Sequence, residues 1–249
     1  MIRSFRSILV IPAALAVALG AGCNSSTVST PTPAKGSLRV SVQLPAGASR
    51  AAAKGRQAGG APLGAPYVKI AITDPTTMAN LAQPQIIQAP PPGQTATAEF
   101  QGIPVGNIHI TVTAHPDQNA AQPALAIGTA DATVTTGNTT PVSITLAPTL
   151  DHLTITPTGL TLTLSNTQTS PPTGTLTAAA FDANNTSLVG EPLFWSSSNS
   201  TVASVLVDPS TGVATVTAVG PGTATIEVRE FNTGKTADAV VTVVPAPVS

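Results

Sequence analysis

The sequence predicts an all-β protein made of two tandem β-sandwich domains, preceded by an export signal and a flexible tether. Three observations lead there. Thr and Val, which are stiff at the β-carbon and suit a pleated surface, fill much of the chain. Alternation of apolar and polar residues recurs beyond residue 36, and no stretch there keeps an apolar stripe at helical spacing. Turn formers are dense, with 20 Gly and 24 Pro in 249 residues. Charged residues make up only 8% of the chain and the net charge is -1, so no long-range field draws nucleic acid.

Residues 1–22 read as a signal peptide. Arg3 and Arg6 precede the apolar run ILVIPAALAVAL, which is short for a bilayer span and ends in the small residues Gly20, Ala21 and Gly22. The next residue, Cys23, is the only cysteine, so no internal disulfide can form. The stretch GAGC resembles the lipobox of bacterial lipoproteins, although Leu19 stands four residues before the cysteine where that family has leucine at three. The resemblance implies cleavage between Gly22 and Cys23 and a diacylglycerol on the Cys23 sulfur, with acyl chains such as palmitate holding the membrane. Asn24, where an aspartate would signal inner-membrane retention, favours the outer membrane or cell surface, with a periplasm-facing placement as the alternative. Residues 23–36, NSSTVSTPTPAKG after the cysteine, are small, polar and Pro-containing, and read as a tether.

Residues 37–148 form the expected first domain. In GSLRVSVQLP, Leu38, Val40, Val42 and Leu44 share a face, and YVKIAITDP repeats the pattern with Val68, Ile70 and Ile72. Between these strands, residues 45–66 have no periodicity and read as a flexible Ala/Gly-rich loop carrying Arg50, Lys54 and Arg56. Gly102 to Gly106 reads as a turn before a strand with Ile108, Ile110 and Val112 inward. The strand, Phe-x-Gly-Ile-Pro-x-Gly, strand sequence resembles prealbumin-like and carboxypeptidase-regulatory-like sandwiches of bacterial surface proteins.

Residues 149–249 form the expected second domain with a short C-terminal tail, joined to the first at Leu146 to Thr149. Leu153 and Ile155, then Leu160, Leu162 and Leu164, then Leu176, Ala178 and Ala180 alternate. Turn signals fall at Pro171 to Gly174, Asp182 to Asn185, Pro209 to Gly212 and Pro221-Gly222. About seven short strands in roughly 100 residues suggest an immunoglobulin-like sandwich. Trp195, the only tryptophan, is expected to be the large ring that bridges the two sheets, with Val202, Val205 and Ile226 beside it in the core. The phrase WSSSNSTVASV, continued by DPSTGVATVTAVGPGTATIEV, resembles the bacterial immunoglobulin-like domain of group 2, the intimin and invasin type. Leu164 to Thr169 departs from that family, which often has a glycine in this turn.

The sequence offers no catalytic constellation. His109 lies between inward-facing isoleucines and so points outward, His115 precedes Pro116 in a turn, and His152 opens a strand beside Asp151. Each is expected to be a solvated or turn histidine, since none has a second His or a Cys at metal-ligand spacing. No serine-hydrolase, zinc-protease or phosphate-loop motif occurs. Asp182 with Asn184 and Asn185 supplies one carboxylate and two amides, which suits a hairpin turn as well as it would a weak calcium site; calcium wants about six or seven oxygens, and the turn is the favoured reading. The expectation is therefore a non-enzyme without metal or cofactor. The aromatics open to sugar stacking, Tyr67, Phe181, Phe194 and Phe231, are widely separated in sequence. The family resemblances imply an anchored envelope protein acting as a spacer and adhesion module toward a surface protein, matrix or polysaccharide. A polysaccharide- or cell-wall-binding module, or an accessory subunit of a secreted enzyme or envelope complex, is the alternative.

Overall fold

The protein is described by a computed structural model covering residues 33–44, 64–91, 94–165 and 170–247. Gly22, Cys23, the basic residues Arg50, Lys54 and Arg56, and most of the turn after Leu164 lie outside the described residues. Within them every regular element is a strand, so the fold is all-β. No helix there is long and apolar enough to cross a membrane.

The first eight strands are β1 (Lys35–Gln43), β2 (Tyr67–Thr73), β3 (Gln85–Gln88), β4 (Thr95–Pro104), β5 (Gly106–His115), β6 (Ala126–Val134), β7 (Thr139–Thr145) and β8 (Ala147–Pro148). They build a three-stranded sheet in the order β4-β1-β7 and a five-stranded sheet in the order β3-β2-β5-β6-β8. The alternation read from sequence decides which side chains meet between them. Leu38, Val40 and Val42 on β1, Val68, Ile70 and Ile72 on β2, and Ile110 and Val112 on β5 are fully buried. β1 starts earlier than the tether reading allowed: Lys35 and Gly36 already pair with Pro104 and Ile103. β1 also runs parallel to β7, bringing residues about a hundred positions apart side by side.

The remaining strands are β9 (Leu150–Thr156), β10 (Gly159–Thr163), β11 (Thr173–Asp182), β12 (Ser187–Leu188), β13 (Leu193–Ser197), β14 (Ala203–Val207), β15 (Ala214–Ala218), β16 (Gly222–Glu230) and β17 (Thr236–Val244). One sheet has the order β10-β17-β16-β13 and the other β12-β11-β15-β14, with β9 added against β11. Thr173 and Gly174, expected in a turn, are instead the first residues of β11. The expected joint is itself hydrogen-bonded: β8 pairs with β6, and Thr149 donates from its amide to Leu125 O at 3.0 Å and from its hydroxyl to Ala124 O at 2.6 Å.

Trp195 differs from its expected role. It packs against the core but is only half-buried. It stands on β13, the edge strand of its sheet. The centre belongs to inner strands, where Leu176, Val216, Ile226 and Val228 are fully buried. The serines after the tryptophan close the corner by hydrogen bonds. Ser197 Oγ donates to Ala203 O at 2.7 Å, Ser198 Oγ accepts from Thr225 N at 2.8 Å, and Asn199 Oδ1 accepts from Thr201 at its amide and hydroxyl. Val202 then turns inward at 7% exposure, and Val205 is partly buried.

Candidate functional site

The three histidines are far from one another in the pairing scheme, and each is engaged locally. His109 Nδ1 lies 2.6 Å from Asp131 Oδ1 on the outer face of β5 and β6. His152 is 3.1 Å from Asp151 Oδ2 and stacks on Phe181 with ring centroids 5.3 Å apart. Asp151 is held below the ordinary carboxylate range by the His152 hydrogen bond and by Lys235, whose ammonium also contacts the Asp151 carbonyl. Among the described residues no group of three or more His, Cys, Asp or Glu side chains could hold a metal.

His115 corrects the sequence reading. It is the last residue of β5 and only 7% exposed, not a solvated turn residue. Its Nδ1 donates to Gln122 O at 2.9 Å, and its Nε2 lies 2.8 Å from Thr113 Oγ1. The reason is the β5–β6 connection, residues 116–125, which folds back over the outer face of β5. Asp117 nucleates that turn, accepting from Ala121 N at 2.8 Å and Gln122 N at 3.0 Å, while Ala120 takes a left-handed φ of 49°. Leu125 N then returns to Ala114 O at 2.8 Å. The connection is thus pinned at its base by a buried imidazole and closed by a carboxylate cap.

This folded connection forms one wall of a cleft of about 310 Å³ lined by Tyr67, Ile86, Ile87, Gln88, Gln118 and Asn119. The floor comes from sheet register: Tyr67 pairs with Gln88 on one side and His115 on the other. β3 is a four-residue edge strand, so Ile86, 41% exposed, and Gln88 stand open beside the tyrosine. β3 is held by Gln85 Nε2 donating to Glu99 O at 3.0 Å. Tyr67 was visible in the sequence as an aromatic candidate. The amides that join it were not, because Gln88 and Gln118-Asn119 meet it only through strand pairing and the folded connection. The polar run DQNAAQ after His115-Pro116 was the one available signal.

The other aromatic candidates do not line this cleft. Phe194 and Phe231 meet at 5.6 Å in a tilted pair, near a carboxylate turn between β16 and β17. There Glu230, fully buried, accepts four hydrogen bonds of 2.6–2.8 Å from the amides and side chains of Asn232 and Thr233. Glu191, between β12 and β13, is pushed up to about 8 by burial and by the nearby Glu230. Glu191 Oε1 and Asn232 Oδ1 are buried without a hydrogen-bond partner among the described residues.

No family model and no curated protein matches the chain. Among solved structures it aligns with domains 4 and 5 of the S-layer protein SbsC at 18% identity and a TM-score of 0.33, over 57% of this chain and 67% of that one. It also aligns with invasin, a bacterial integrin-binding protein, at 16% identity and 0.27, over 75% of this chain and 33% of that one. A third is FdeC, an Escherichia coli adhesin, at 22% identity and 0.26, over 62% of this chain and 46% of that one. The chain therefore spans less than half of the invasin and FdeC structures. At these scores the fold assignment stands on the strand pairing described above.

Proposed function

We propose that this chain is a lipid-anchored, non-catalytic protein of a bacterial cell envelope whose β modules serve as spacer and interaction surface. The observation that supports the non-catalytic reading is where the reactive side chains go. Each histidine is tied to a neighbouring carboxylate or carbonyl. Asp74, Asp117 and Asp208 cap their own turns, and Glu230 organises a hairpin. The anchor rests on the apolar N-terminal run that ends at the sole cysteine, Cys23. The solved structures named above are surface-layer, integrin-binding and adhesin proteins, and this chain's own sequence supports a similar setting.

Two measurements test it. Mass spectrometry of the N-terminal peptide from membranes should find a diacylglyceryl group on Cys23, and Cys23→Ser should release the protein to the soluble fraction. An unmodified Cys23 in the mature protein rejects the anchor. Protease treatment of intact cells, with a permeabilised control, then places the modules. Digestion on intact cells supports an outward-facing interaction module, whereas protection until permeabilisation rejects the adhesion role.

A further inference from the structure

We propose that the Tyr67 cleft binds a neutral glycan segment. The inference deepens the proposed function by assigning a ligand class to one surface of the molecule. Its lining contains one phenol ring, two isoleucines and three side-chain carboxamides, and no charged side chain. Among the described residues no hydrogen bond engages the side chains of Tyr67, Gln88, Gln118 or Asn119, so their donors and acceptors are available to a ligand. Carboxamides both donate and accept, which matches hydroxyl groups that do the same, and they select against a net charge that they cannot neutralise. The ring of Tyr67, partly buried in the lining, supplies an apolar surface of the kind that sugar C–H groups cover. About 310 Å³ is at the small end of ligand sites and suits a short sugar segment.

The site is also built before any ligand arrives. Asp117 and the buried His115 hold the connection that carries Gln118 and Asn119. The pairing of Tyr67 with Gln88 holds the floor. Little ordering is left to be done on binding, which favours even a small contact area. A peptide strand added to β3 would need the backbone edge of Gln85–Gln88 and would leave Gln118 and Asn119 without a role.

The test uses detergent-solubilised full-length protein and affinity electrophoresis through gels holding starch, dextran, hydroxyethyl cellulose or glycol chitin, with alginate as an acidic comparison. At least one neutral polymer should retard the wild type. Tyr67→Ala should weaken the retardation roughly tenfold. Gln118→Ala and Asn119→Ala lie in an exposed connection and leave the core untouched, so they separate loss of binding from loss of folding. Phe231→Ala should bind as the wild type does. Tyr67 is the only tyrosine, so a near-ultraviolet difference spectrum with a soluble oligomer of the retained polymer reports directly on the cleft. Retardation by none of the neutral polymers, by alginate alone, or equally for Tyr67→Ala and Gln118→Ala as for wild type, overturns the inference. Any of these results leaves the anchoring and protease experiments unaffected.

Discussion

Glu191→Gln should stabilise the protein at pH 8 and leave it nearly unchanged at pH 5. Burial and Glu230 raise the Glu191 carboxyl from its ordinary 4.5 to about 8 in the folded state. Between those values the unfolded chain has released the proton while the folded one retains it. Stability is therefore complete below 4.5, falls as pH rises, and levels off above about 8. A whole proton held by the folded chain and released by the unfolded one costs about 1.4 kcal/mol per pH unit. Glu191 is partly open to water, which screens the penalty, so a loss of about 2 kcal/mol across the window is expected. Glutamine keeps the shape and the neutral charge of the protonated form, so the two proteins should match where Glu191 holds its proton. Urea unfolding of both proteins from pH 5 to pH 8 gives the difference directly, and effects common to both cancel. The acid limb lies outside this window. Asp74, Asp117, Asp151 and Asp208 are held below 3.8, led by hydrogen bonds from Thr77, Ala121, His152 and Ser210, so their stabilisation is lost only as pH falls beneath that value. If the two proteins show parallel stability curves from pH 5 to 8, the burial argument for Glu191 is wrong.

Further predictions concern packing and backbone conformation. Ile226→Ala, at a fully buried position, should cost about 3 kcal/mol in urea unfolding. Trp195→Ala should cost less than the ~3–5 kcal/mol of a fully buried aromatic, about 2 kcal/mol, because the residue is only partly buried; a larger loss for Trp195 than for Ile226 would restore it to the centre of the core. A Cβ added at Gly128 would sit 2.7 Å from Ile144 Cγ2 and 2.8 Å from Thr145 O, so Gly128→Ala should cost about 1–3 kcal/mol. Gly212→Ala meets nothing within 4 Å and pays only for its φ of 71°, about 1–2 kcal/mol. A melting temperature unchanged by Gly128→Ala would show that β7 can move away from β6.

What the sequence determined by itself was the class of element and the inward face of each strand. A period of two is local, so Leu38, Val40, Val42, Val68, Ile70 and Ile72 could be assigned to the core before any pairing was known. The turn at Asp182 was equally legible, because a carboxylate accepting from Asn184 and Thr186 is a short-range device. The export signal and Cys23 are read from sequence alone and lie outside the described residues. Only the tertiary structure decided which strands became edges, and that set how far each side chain was buried. Trp195 is only partly buried and stands on β13, which has a neighbour on one side, a fact that no local pattern contains. His115 is buried because the chain after it doubles back, which required the Asp117 cap and the return of Leu125 to Ala114. The cleft is the clearest case: its six residues come from three separated segments and become neighbours only through β-sheet register and one folded connection. Alternation is a property of consecutive residues, whereas proximity is a property of pairing, and pairing is chosen by the packing of the whole chain.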